Sequence, residues 1–510
     1  MRALISVYDK TGIVQFARGL VDLGFELVAS GGTASALEDA GLAVTSVEDV
    51  TGFPEMLDGR VKTLHPRIHA AILARRDVAD DLASLAEHGI EPFDLVCVSL
   101  YPFESVATQL DVADADVVEM IDVGGPSMLR AAAKNHAYVT AVCRPEDYES
   151  VLAELRSEGS TSLETRRRLA ATAFATTAAY EAGIASWFQR DEQFPAAISL
   201  AFDRKLDLAY GENPHQQAAF YAERGRRTHL LSRIEQQRGK PLSFNNLNDL
   251  SAARLLVREF ELPACVIAKH ANPCGVAVAD TIEEAYAGAL AGDPVSAYGG
   301  VVVVNRAVSA ALGEALGDQF VEVLFAPGYD EQAMEALARK ASIRILKDIE
   351  RRALTDVEPD YRRVVGGLLV QDADWEITTR DGMEVVSGQV SDEQWDDLLF
   401  AWRVVKHVTS NAIVLAGGRQ TIGIGAGQMS RVDAVRIALD KARELGHSLE
   451  GAVLASDAFF PFADGPQLAL DAGVAALIQP GGSKRDGEVI EAVSAAGAAM
   501  VFTHRRHFRH

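Results

Sequence analysis

The chain has 510 residues, with 49 Lys and Arg against 72 Asp and Glu, a formal charge of −23. Apolar residues make up 48% and charged residues 24%, an ordinary globular profile. The acidity argues against a general nucleic-acid or membrane-surface binder, whose footprint is basic; it leaves room for a local basic pocket that takes small anions. At about 150 residues per domain, the length predicts three or four folding units or two large ones. Four cysteines are too few for a disulfide framework and suit a reducing, cytoplasmic setting. The most apolar runs, Val301 to Val304 and Gly473 to Ile478, fall far short of the ~20 residues of a spanning helix. Met1 to Asp9 reads as a first strand, not a signal peptide.

Through the first 150 residues, strand-like and helix-like stretches alternate. Ala3 to Val7 is a short apolar run, and Asp9-Lys10-Thr11-Gly12 turns it into a helical pattern that continues to Leu23. Phe25 to Ala29 repeats the strand pattern, Ser30-Gly31-Gly32-Thr33 the turn, and a second helix ends near Gly41. Leu95 to Leu100 is a further buried strand. Strand, glycine turn and helix in repetition predict a parallel sheet with flanking helices. Leu169, Ala173, Thr177, Tyr180, Ile184 and Trp187 recur every three or four residues, which predicts one long helix over Leu163 to Phe188. A boundary follows near 195–205, around Pro195. The rest shows two strand-and-glycine stretches, about 205–370 and 390–510, as two sublobes would, without a recognisable repeat in the residues. Tyr329 to Glu358 is charge-rich and reads as surface helix.

Several motifs suit chemistry. Ser30-Gly31-Gly32-Thr33, between strand and helix, is either a phosphate cradle at a helix N-terminus or a tight turn, with Ser35 and Glu38 as a capping box. In Gly59-Arg60-Val61-Lys62-Thr63-Leu64-His65-Pro66, an extended backbone puts Arg60 and Lys62 on one side, as an anion site or as a solvated basic edge. Leu100-Tyr101-Pro102-Phe103 and Ile121-Asp122-Val123-Gly124-Gly125 put Tyr101 and Asp122 near strand ends, with Arg130 and Lys134 on the helix that follows; open α/β sheets bind ligands at strand ends. Cys265-Val266-Ile267-Ala268 runs into Lys269-His270-Ala271-Asn272-Pro273-Cys274-Gly275. There a base that titrates near neutrality sits beside a cation that can stabilise negative charge. The Cys-x-x-Cys and His-x-Glu pieces of a zinc deaminase are missing, so no metal is expected. Gly423-Ile424-Gly425-Ala426-Gly427 looks like a nucleotide loop but lacks the dinucleotide-binding spacing. The density of such polar turns, Tyr210 to Gln216, Ser243 to Asn248, Ser296 to Gly300, Ser410 to Ile413 and Ser456 to Asp464 among them, suits a large polar ring-containing ligand.

Taken in order, the motifs resemble the family of bifunctional purine-biosynthesis enzymes that join inosine monophosphate (IMP) cyclohydrolase to aminoimidazole carboxamide ribonucleotide (AICAR) formyltransferase. Val7 to Gly12, Ser30 to Thr33, Glu55 to Pro66, Leu100 to Phe103 and Ile121 to Gly125 look like the cyclohydrolase half. Tyr210 to Gln216, Lys269 to Gly275, Ser410 to Val414, Gly423 to Arg431, Ser456 to Asp464 and Arg506 to His510 look like the transferase half. The resemblance implies an α/β fold: a methylglyoxal-synthase-like parallel-sheet domain at 1–195, then a transformylase unit at 200–510 of two cytidine-deaminase-like lobes without zinc. It implies an obligate homodimer, with AICAR, formyl-AICAR and IMP as ligands and 10-formyltetrahydrofolate as co-substrate.

In the transferase half the resemblance implies that His270 takes the proton of the substrate's 5-amino group. Lys269 would assist at the formyl group and Asn411 would orient the formyl oxygen. Asp464, with Asp457 and Tyr298, would meet the folate, and Tyr210 and Arg506 the substrate. In the cyclohydrolase half it implies ring closure by Lys62, Tyr101, Asp122 and Lys134, with Ser6, Lys10, Ser30, Gly32, Thr33, Arg60 and Thr63 around phosphate and base. Three positions depart from the pattern. Ala209 stands where the family usually has a phosphate-binding Arg, Ser99 where it often has Asn, and Tyr298 where Phe is usual. The competing readings are an enzyme whose transferase is weakened by Ala209 and a phosphate-ligand binding or regulatory module.

Overall fold

In a computed structural model of the chain, all residues are described except 58, 110, 225–232, 340–341, 350–358 and 377. The chain forms two compact units. The first holds Met1–Asp203 and a short return beginning at Ala222; the second holds Arg204–Tyr221 and the remainder to His510.

The first unit is built on five parallel strands, in the spatial order Val44–Ser46, Glu26–Ala29, Arg2–Val7, Leu95–Ser99 and Thr140–Val142. Alternation along the central strand explains why both faces are covered. Ala3, Ile5 and Val7 enter one apolar cluster and Leu4 the other, and all four are buried. The order reverses between Arg2–Val7 and Leu95–Ser99, and the crevice at the carboxyl ends of strands flanking such a reversal is where open α/β sheets bind ligands. The long helix spans Leu163–Phe188 and buries Leu169, Ala173, Thr177 and Tyr180, the face its spacing predicts. The second glycine turn behaves differently from its capping-box reading. The helix starts at Gly31, so Ser35 and Glu38 lie inside it, and Ser35 Oγ bonds back to the Gly31 carbonyl at 3.5 Å.

The second unit is a twelve-stranded sheet of two halves with one topology. From the seam outward, the first half runs Asn272–Val278, Ala264–Lys269, Gly300–Val304, Val321–Ala326, Arg344–Asp348 and Ile234–Arg238. The second runs Gln420–Gly425, Ile413–Gly417, Val453–Ser456, Ala476–Gln479, Ala499–Phe502 and Glu384–Ser387. In each half an antiparallel hairpin meets one antiparallel strand, then two parallel strands, then an antiparallel edge. One apolar core is shared between the halves, beneath the helices Phe244–Val257 and Asp392–Val405; on the other face each half has its own core.

The expectation of surface helix over Tyr329 to Glu358 is corrected. Glu331–Ala338 is helical, but Arg344–Asp348 is a sheet strand, because Ile345 and Leu346 are fully buried between the sheet's neighbours; residues 350–358 lie outside the described set. Gly423 and Gly425 serve packing. They lie in a strand, and a Cβ there would meet the carbonyls of Ala438 and Ala434 on the covering helix at 2.2 and 2.0 Å.

One buried ionic group affects stability. Glu259 Oε1 takes hydrogen bonds from Lys406 Nζ at 3.0 Å and His407 Nε2 at 2.9 Å, all three residues being nine-tenths buried or more. Burial holds the His407 pKa below its ordinary value of 6.5, against the pull of Glu259. The unfolded chain therefore binds a proton at His407 before the folded one does, and folding stability falls as pH drops through about 6.5. A melting series from pH 7.5 to 5.5 is expected to show declining Tm. His407→Phe is expected to flatten that slope, and an unchanged slope would assign the decline to other groups.

Candidate functional site

In the first unit a cavity of about 790 Å³ opens at the strand-order reversal. Ten of the expected cyclohydrolase residues line it: Ser6, Lys10, Ser30, Gly32, Thr33, Arg60, Lys62, Thr63, Tyr101 and Asp122. Five segments that are distant in sequence meet there because each follows a strand or enters a helix at the same sheet edge. Thr33 Oγ1 accepts the Val7 N–H at 3.1 Å and donates to the Val7 carbonyl at 3.0 Å, which ties the two glycine turns together. Lys10 Nζ donates to Thr33 Oγ1 at 3.3 Å, and the Ser6 and Ser30 hydroxyls are 2.9 Å apart. Ser99 accepts the N–H groups of Tyr8 and Asp9 at 2.8 and 3.2 Å, so this departure from the family pattern supports the loop that carries Lys10.

Lys62 reaches the carboxylates of Glu55 and, at 3.5 Å, Glu48. Burial pulls its pKa down, but contact with Glu55 and then Glu48 outweighs this and holds the ammonium above its ordinary range. Arg60 pairs with Glu119. Burial lowers the Lys10 pKa. Burial also raises Asp122, although the amides of Gly125, Tyr101 and Gly124 pull it back; the Gly125 N–H donates to Asp122 Oδ1 at 2.7 Å. Tyr101 is raised by burial and by the nearby Asp122. The pocket thus offers a fixed cation, a phenol and a carboxyl biased toward protonation. Glu48, Glu55, Ser99 and Glu119 were not marked by spacing. Glu55 lies inside a motif already singled out, but its contact with Lys62 exists only once the loop folds back.

Lys134 is exposed on the last turn of the helix Gly124–Lys134, whose first turn lines the cavity, and is not among the lining residues. Ten residue rises separate it from that end by about 15 Å.

In the second unit, Lys269 and His270 line a cavity of about 220 Å³ with Asn272, Cys274, Asp293, Ser296 and Lys441. The strand Ala264–Lys269 delivers both residues to a two-residue turn. Lys269 Nζ donates to the Tyr298 carbonyl at 2.9 Å. His270 and Ala271 have φ of 54° and 58°, a left-handed conformation that costs non-glycine residues about 1–3 kcal/mol each. Asp249 holds them there, accepting the His270 N–H at 3.2 Å and the Ala271 N–H at 2.7 Å. Burial raises the Asp249 pKa, and those two amides pull it back. Asn272 Oδ1 accepts the Thr409 N–H at 2.8 Å, which anchors the Asn411 loop beside the turn.

Asn411 is held on both sides of its amide. Nδ2 donates to the Gln428 carbonyl at 2.8 Å, and Oδ1 accepts Arg431 Nη2 at 2.7 Å. Asp457 is a correction. It is fully buried, paired with Arg431 and bonded by Ser410 Oγ at 2.5 Å, so its oxygens face protein donors instead of a folate. Asp464 is exposed at the start of its helix, Arg506 lies 4.2 Å over the Phe508 ring, and Tyr210 accepts the Phe244 N–H through its carbonyl at 3.1 Å. None of these three lines the Lys269 cavity. Tyr298 is 63% exposed, with its ring 5.0 Å from that of Phe320.

Two family models match the chain. The model of the AICARFT/IMPCHase bienzyme family matches residues 132–441, and that of the MGS-like domain matches residues 12–127. The bifunctional purine biosynthesis protein PurH of Persephonella marina (strain DSM 14350 / EX-H1) is 50% identical over 519 residues, covering 100% of this chain and 99% of that protein. The chain belongs to the AICARFT/IMPCHase bienzyme family. A solved structure described as the crystal structure of ForH is 40% identical, covers 38% of this chain and 98% of that one, and has a TM-score of 0.35. The bienzyme is a purine-biosynthesis formyltransferase and IMP cyclohydrolase, with an MGS-like N-terminal domain and 10-formyltetrahydrofolate as formyl donor. No described helix is long and apolar enough to cross a membrane.

Proposed function

We propose that the N-terminal cavity closes the ring of formyl-AICAR and that the Lys269–His270 turn transfers the formyl group to AICAR. The convergence of Lys62, Tyr101 and Asp122 in one cavity carries the first half. There the ligand phosphate docks at the start of the helix Gly31–Asp39, where amides and dipole favour an anion. The carboxamide nitrogen attacks the formyl carbon. Lys62 stabilises the oxygen that gains negative charge, and Tyr101 and Asp122 move protons as water leaves. In the second site the AICAR amine attacks the formyl carbon of the folate, His270 takes the amine proton, and Lys269 and Asn411 meet the formyl oxygen; the bond from the formyl carbon to the folate nitrogen then breaks, and that nitrogen takes a proton as tetrahydrofolate leaves.

Asp464, Arg506, Tyr210 and Tyr298 stand outside the small Lys269 cavity of one chain, and this supports a homodimer in which a second copy completes the site. Four cysteines, all free thiols, support a cytoplasmic setting. The assignment is tested by assaying both activities on Lys62→Ala and His270→Ala: each variant should lose one activity and keep the other.

Ala209 sits exposed next to Tyr210, its N–H bonded to the Leu242 carbonyl at 2.8 Å. An arginine there adds a charged hydrogen bond to the substrate phosphate, worth about 1.5–3 kcal/mol. Ala209→Arg is therefore expected to lower the KM for AICAR about tenfold or more in a formyl-transfer assay. An unchanged KM would show that Ala209 does not weaken the transferase.

A further inference from the structure

The two halves of the C-terminal sheet carry the same turn. In the first half Lys269 pairs with Asn272, leaving His270 and Ala271 as a two-residue loop with φ of 54° and 58°. In the second half Gly417 pairs with Gln420, leaving Gly418 and Arg419 with φ of 61° and 57°. Positive φ at both central residues is the geometry that makes Asn-Gly or Gly-Gly the usual choice for such hairpins. The second half complies with Gly418. The first half puts His270 at that place.

Both turns are clamped in one way. Asp249 accepts the amides of His270 and Ala271 at 3.2 and 2.7 Å, and Asp397 accepts those of Gly418 and Arg419 at 3.0 and 2.6 Å. Each aspartate is the sixth residue of a helix that opens with a serine capping box, Ser243 for Phe244–Val257 and Ser391 for Asp392–Val405. The clamp is thus part of the repeated fold. At the first central position of one copy it secures a conformation that glycine already permits; in the other it secures a histidine in a conformation histidine resists.

We propose that Asp249 is a positioning residue for formyl transfer, which through the amides of His270 and Ala271 holds the imidazole in the cavity shared with Lys269. The inference rests on the reading of His270 as the proton acceptor. A carboxylate suits the task because each oxygen accepts one amide. An asparagine has one acceptor oxygen, and its NH2 would face the second N–H.

The test uses the full-length bienzyme and measures steady-state formyl transfer from 10-formyltetrahydrofolate to AICAR, with ring closure assayed in the same preparation. Asp249→Asn is expected to lower the kcat of formyl transfer about 100-fold, the scale of an ångström-level misplacement, with the AICAR KM and ring closure unchanged. Asp397→Asn removes the same bond from the other half and should leave formyl transfer intact. Adding Ala271→Gly to Asp249→Asn relieves the left-handed strain and should restore part of the lost kcat. A wild-type kcat in Asp249→Asn would overturn the proposal. So would an equal loss in Asp397→Asn, which would reduce both clamps to fold support. His270→Gln, run alongside, separates the two levels. If it keeps full formyl transfer, the reading of His270 fails. If it is inactive while Asp249→Asn is fully active, the clamp alone is wrong.

Discussion

Replacing His270 by alanine is expected to lower formyl transfer by a factor of about 10²–10⁴, the range a positioned general base supplies, while ring closure proceeds at the wild-type rate. The amine of AICAR carries a proton that must leave as its nitrogen bonds to the formyl carbon, and in the proposed reading His270 takes it. Its neighbour Lys269 is held by the Tyr298 carbonyl at 2.9 Å and supplies positive charge in the same cavity. The imidazole lies on a turn clamped from behind by Asp249, so its loss leaves the backbone support in place. The measurement is a pair of assays on one preparation, one following formyl transfer and one following IMP formation from supplied formyl-AICAR. Full formyl transfer in a folded His270→Ala protein would remove His270 from the mechanism. Loss of both activities would point to misfolding.

Lys62→Ala is the converse experiment. Ring closure is expected to fall by about 10²–10³, the cost of removing one electrostatic donor from a preorganised site, with formyl transfer largely intact. Lys62 lines the cavity with Tyr101 and Asp122, and Glu55 and Glu48 hold its ammonium charged. A substrate that enters must share or displace those carboxylates. The loss should therefore appear in kcat as the missing stabilisation of a developing negative charge, with a smaller change in KM. Ring closure at the wild-type rate would exclude Lys62 from catalysis and leave Tyr101 and Asp122 as the proton-moving pair.

Lys134 and Asp457 show one limit of a linear reading. Lys134 and Asp122 lie on one short motif, and a linear reading keeps them together; helical rise carries Lys134 to the far end. Asp457 and Asp464 lie on another, and a linear reading cannot tell a buried carboxylate from an exposed one. The structure puts Asp457 against Arg431 and leaves Asp464 in solvent. Tyr329 to Glu358 shows the same limit at the level of secondary structure. Its charge suggested surface helix, and burial of Ile345 and Leu346 between neighbouring strands made part of it a sheet strand.

Local chemistry along the chain was sufficient for the parallel N-terminal sheet, the long helix at Leu163–Phe188 and the motif order that places the chain in its family. Those signals depend on near neighbours: side-chain period, glycine turns, and a strand that ends in Lys-His. Tertiary structure alone decided which charges meet. Glu55 and Glu48 reach Lys62, Arg431 reaches Asn411, and Asp249 reaches the turn that holds His270. It also revealed the repeat within the C-terminal sheet, of which the residues retain little beyond Ser243 with Asp249-Leu250 and Ser391 with Asp397-Leu398. Strand order and turn geometry are set by backbone hydrogen bonds that many side chains satisfy equally well, so two halves of different sequence share one architecture.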